Sequence, residues 1–147
     1  MKSLKLTILV FITSLTLVSC SNNESDSNGG SCDTECTYSI ASGENAATVL
    51  SSLNGTYNLT YHSAQPGSPY ADGTVAKFTI DNNELTVEIN GECLTIKNPV
   101  LRGTNNFLFK DTCDKNITYN LSPNNDGSFN EINIEPLGQG WYGQFSE

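Results

Sequence analysis

From Asn54 onward, apolar side chains recur at every second residue, and little else about the chain limits its fold so tightly. In "GTYNLTYH", Tyr57, Leu59 and Tyr61 fall on one side, with Thr56, Asn58, Thr60 and His62 on the other. "TVAKFTID" places Ala76, Phe78 and Ile80 together, and "ELTVEIN" does the same with Leu85, Val87 and Ile89. A strand projects successive side chains to opposite faces, so this period fits a sheet with one face buried, not a helix. Five more segments follow: "CLTIK", "NFLFKD", "NITYNL", "FNEINIE" and "WYGQF". Short stretches with turn chemistry separate most of them, such as Asp81-Asn82-Asn83, Asn90-Gly91 and Asn124-Asn125-Asp126-Gly127. The expectation is an all-β domain over 54–147, a small antiparallel up-and-down barrel of about eight strands. A β-sandwich is the alternative, because both give the same alternation. One segment departs: Ala46, Val49, Leu50 and Leu53 in "GENAATVLSSL" are at helical spacing, which predicts a short helix docked on the sheet or plugging one end.

The N-terminus follows another rule. Lys2 and Lys5 precede an apolar run from Leu6 to Val18, the charged and apolar regions of a secretory signal. The run is shorter than the roughly 20 residues of a bilayer span. It ends Leu17-Val18-Ser19-Cys20, which resembles the bacterial lipobox. That resemblance implies a signal peptide over 1–19, cleavage before Cys20, and acyl chains (palmitate among them) on Cys20. Each buried CH2 of such chains contributes on the order of 0.8 kcal/mol to holding a membrane. Residues 20–31 then form a flexible tether, since 21–31 include no apolar side chain to offset the entropy of ordering. Its reach is roughly 18 Å. Ser21, Glu24 and Asp26 behind the cysteine resemble tethers of Bacteroidetes lipoproteins carried to the outer membrane and, in some cases, to the cell surface.

Seven Lys/Arg stand against sixteen Asp/Glu, and removal of 1–19 takes two lysines and no acid, leaving five against sixteen. A net charge near −11 repels nucleic acid, whose binding depends on neutralised phosphates, and repels anionic lipid, leaving membrane attachment to the acyl chains. Four cysteines remain, Cys32 and Cys36 in the arm over 32–53 and Cys93 and Cys113 in the β domain. In an exported chain they are expected to form disulfides. The favoured arrangement pairs Cys93 with Cys113. Cys32 and Cys36 then pair locally, or one of them staples the arm to the sheet. A four-cysteine zinc site fits the spacing poorly.

Reactive constellations are sparse. The one histidine, His62, adjoins Ser63, and neighbours on a strand point apart. Asn124, Asp126 and Glu131 lack the spacing of a calcium loop. No catalytic residue, metal site or cofactor is expected. The layout from 43 to 147, with Gly55-Thr56-Tyr57 opening the first strand, resembles the lipocalin-like (calycin) barrels, with Tyr where that family carries Trp. The resemblance implies an internal cavity lidded by the first loop, "HSAQPGSPYADG". Tyr57, Tyr61, Tyr70 and Tyr119 are the candidate ligand-binding residues, and non-catalytic binding of a small molecule the expected role. The rival is an interaction module that contacts a glycan or partner protein through exposed aromatics, with Trp141 and Tyr142 on opposite faces of the last strand. If Trp141 is buried, Tyr142 becomes the candidate.

Overall fold

The computed structural model describes residues 32–147. The expected signal peptide over 1–19 and the expected tether over 20–31, Cys20 included, lie outside the described residues. The chain forms a single ten-stranded sheet, curled into a half-barrel, in the order β1-β5-β4-β3-β2-β10-β9-β8-β7-β6. All eight expected strands are present, as β2 (Gly55–His62), β3 (Val75–Asp81), β4 (Glu84–Ile89), β5 (Glu92–Lys97), β7 (Asn106–Asp111), β8 (Ile117–Ser122), β9 (Glu131–Pro136) and β10 (Gly143–Ser146). Two three-residue strands join them, β1 (Glu35–Thr37) and β6 (Val100–Arg102). Within β2–β5 and within β6–β10 strands consecutive in the chain pair antiparallel, and β10 returns to pair with β2. Only β1 runs parallel to its partner, β5. One sheet rather than two packed sheets makes the fold barrel-like.

Alternation decides the faces. Leu59, Tyr61, Phe78, Ile80, Leu85, Phe109, Ile132 and Phe145 are buried inside the curl. The turns carry the backbone that hairpins need: Asn90 and Gly91 both have positive φ (52° and 82°), as a two-residue turn matched to strand twist requires.

The arm differs from expectation in two respects. Residues 43–50 do not form a helix; only Ser51–Leu53 winds, as one 3-10 turn. Backbone pairing holds the stretch extended, with Ala47 donating to Pro99, Leu101 donating to Asn45 and Ala46 bridging Val100. Val49 N–H also donates to the Asn83 side chain at 2.9 Å. The arm therefore covers the β5 edge through β1 and the β6 edge through Ala46.

The favoured disulfide pairing is also corrected: the bonds are Cys32–Cys93 and Cys36–Cys113, with Cα separations of 5.5 and 5.8 Å. Cys93 is in register with Glu88 on the outer face of β5, whereas Cys36 is in register with the buried Ile96. No hairpin joins Cys93 to Cys113, because β5 pairs with β4 and β1 and β7 pairs with β6 and β8. Both arm cysteines thus staple the arm to the domain, one at β5 and one just past β7.

Candidate functional site

The four tyrosines of the inner face do not form one site. Tyr57 lies toward the end closed by the 3-10 turn, donates to the Leu53 carbonyl at 3.0 Å and stacks on Phe129 at 3.9 Å between ring centroids. Tyr61, Tyr70 and Tyr119 gather at the other end. The loop between β2 and β3 folds inward there, so Tyr70 is only 6% exposed. Its ring meets Tyr61 and Phe145 edge-on, each at 5.9 Å. Its hydroxyl is 3.4 Å from that of Tyr119, and the Tyr61 hydroxyl bonds Ser68 of the loop at 2.7 Å. Burial pushes the Tyr119 phenol well above its ordinary pKa and raises that of Tyr70. The space beside this pair, lined by Val87, Ile89 and Asp111 among others, is about 20 Å³, room for one water. The loop is a plug packed into the curl.

Asp111 is fully buried, and its carboxylate accepts the backbone N–H groups of Cys113, Asp114 and Lys115 at 2.9–3.0 Å. It lies with Cys36 and Cys113 in a group whose ligand atoms are within 4.8 Å of one another. The two sulfurs are bonded to each other, so the group is a stapled turn. A larger cleft of about 540 Å³ lies between the arm and β6–β9, over Val100 and Leu108. Its charged groups are taken up in the pairs Glu44–Lys110 and Arg102–Glu135.

The outer face of β8, β9, β10 and β2 is different. Register places Leu108, Asn120, Asn133, Gln144 and His62 in one row across five strands. Gly143 turns inward against Tyr61, so alternation sends Tyr142 outward beside this row. Tyr142 is 38% exposed, whereas Trp141 packs partly against the core and lies close to Gly67 of the plug loop. The Tyr142 backbone N–H donates to Gln65 at 3.0 Å, and its hydroxyl donates to the Asn133 side-chain oxygen. Asn133 donates at 2.8 Å to one carboxylate oxygen of Glu131, and Gln144 donates to the other. Asn120 Oδ1 is buried in this face with no hydrogen-bond partner. His62 is exposed at the end of the row.

These bonds fix the polarity of the face. The amides of Asn133 and Gln144 donate to Glu131 and the Tyr142 phenol donates to Asn133, while each of these carboxylate and amide oxygens carries two lone pairs. Burial, and then Glu131 and Glu135, raise the Tyr142 pKa, so its ring is neutral at physiological pH. The sequence singled out Tyr142 and His62 but not Asn133, Gln144 or Asn120. Their one signal was that Asn and Gln stand at outward positions of consecutive strands.

Comparison with known protein families, with curated proteins and with solved structures returned no match for this chain.

Proposed function

We propose that this chain is a lipid-anchored, non-catalytic module of the bacterial outer membrane, attached through Cys20, that contacts a glycan with the outer face of β8–β9–β10–β2. The observation that carries the reading is Tyr142, an exposed ring pinned by its hydroxyl and flanked by Asn133, Gln144 and Glu131. A sugar presents C–H faces to an aromatic ring and hydroxyls to amides and carboxylates, and a held ring loses little entropy on binding. Position supports it as well. The chain enters at the β1 edge of the sheet, while β10 and β2 are its middle strands. In a curled sheet the middle faces away from the edges, so the tyrosine face points away from the anchored side.

A small molecule held among Tyr57, Tyr61, Tyr70 and Tyr119 would need the plug loop to swing out, unpacking Tyr70 from Phe145 and Tyr119. The filled interior favours the surface. The test is a glycan panel against the full chain in a sugar-free detergent. The expected result is a discrete set of bound sugars whose affinity falls about tenfold in Tyr142→Ala, or about 1.4 kcal/mol. Binding unchanged in that variant would refute the surface site, and loss confined to Tyr70→Ala would move the site to the interior.

A further inference from the structure

All five basic side chains in residues 32–147 are held in ion pairs: Lys77 with Glu88, Lys97 with Glu35, Arg102 with Glu135, Lys110 with Glu44 and Lys115 with Glu92. Seven of the fourteen acidic side chains in that range take part in ion pairs with them. An acidic sugar, such as a uronate or a sialic acid, meets no free cation among the described residues. Glu131, linked to Tyr142 through Asn133, is in no ion pair there. Its carboxylate receives two neutral amide N–H groups, from Asn133 and Gln144.

We infer that the glycan is an amine-bearing one, with the ammonium of an unacetylated amino sugar held between the Glu131 carboxylate and the Tyr142 ring. The inference rests on the glycan reading above and names the class of sugar. Three features of the face converge on it. An aromatic ring attracts a cation at its face, most strongly where water is partly excluded. A carboxylate accepting an ammonium N–H joins two opposite charges, which one accepting a neutral hydroxyl does not. The donors that would compete for Glu131 are neutral amides, which hold the carboxylate in place without cancelling its charge. The same face carries amide and carboxylate oxygens, each with two lone pairs, suited to the hydroxyls of the ring that carries the amine. N-acetylation would turn the ammonium into a neutral, bulkier amide.

The experiment compares three β-1,4-linked oligomers of equal length on the full chain in a sugar-free detergent: glucosamine, glucose and N-acetylglucosamine. Titration calorimetry is run at low and at physiological salt on wild type, Tyr142→Ala, Glu131→Gln and Gln144→Lys. The last variant places an ammonium within reach of Glu131 at an outward strand position, so it tests the charge without removing the carboxylate. Thermal melts confirm that each variant is folded. The inference expects the glucosamine oligomer to bind at least tenfold more tightly than the other two. It also expects Glu131→Gln and Gln144→Lys to erase that preference. Equal, Tyr142-dependent binding of all three would overturn the inference and leave the glycan reading standing. A glucosamine preference that survives in Glu131→Gln and Gln144→Lys and vanishes at physiological salt would assign the effect to net charge, and would overturn the site. Absence of Tyr142-dependent binding to any sugar here or in the wider panel would overturn both.

Discussion

Three side chains show how local chemistry sets properties of the whole. Gly143 is present for space: a Cβ there would lie 1.7 Å from the Tyr61 hydroxyl oxygen. Tyr61 is fully buried between Phe145 and Ser68 and cannot withdraw. Gly143→Ala is therefore expected to cost about 2–3 kcal/mol, read as a lower denaturant midpoint with an unchanged slope. Asn120 has the opposite problem, a buried oxygen with no donor, which costs about 1–3 kcal/mol. Replacing it with Val, which suits a strand, should raise stability by about 1 kcal/mol, read as a higher denaturant midpoint. Glu44 accepts hydrogen bonds from Lys110 and Tyr38, and the Lys110 bond leads in holding its pKa down to about 2 from an ordinary 4.5. A depressed carboxyl pKa contributes stability that is complete above the unfolded value and is lost as pH falls through the folded one. Melting temperature should thus decline between pH 4.5 and 2, and decline less in Glu44→Gln.

At the scale of elements, what the sequence disclosed and what it concealed have separate causes. Each of the eight longer strands is written in side chains that alternate against a filled core, a local signal. Strands β1 and β6 span three residues each, too few for a period to register, and they exist because edges of a sheet need partners. The apolar residues of 46–53 are spaced as in a helix, yet Ala46 and Ala47 pair with β6 and Val49 is held by Asn83. A long-range backbone partner outweighed local propensity. The disulfide partners were hidden for the same reason, since they follow from β1 lying parallel to β5. The tyrosine-bearing strands could be read, but not the inward fold of the loop that fills the space between them. The arm gives a prediction of its own. Cys36–Cys113 closes a separation of 77 residues, worth about 4 kcal/mol on a chain-entropy account. Removing it as Cys36→Ser with Cys113→Ser should speed amide exchange in β1 and at the β6 edge before the central strands β2 and β3 respond.

For the whole molecule, acidity and attachment act together. The cations of residues 32–147 are consumed within the domain, so its outward field is negative over most of the surface and repels phosphate-rich surfaces. On the proposed acylation of Cys20, Cys20→Ser should shift the protein from the membrane fraction to the soluble one, as immunoblotting of separated fractions would show. The stapled arm also bears on how such a molecule withstands being pulled. A load arriving along the chain from the N-terminal side reaches the Cys32–Cys93 bond before any hydrogen bond of β1. It passes straight into β5, and the second staple at Cys36 hands part of it to the end of β7. Parallel strands pulled at one end would otherwise peel apart one bond at a time, like a zip. Here the zip is riveted at its first tooth, so a tug that would unravel an ordinary terminal strand is spread across both margins of the sheet.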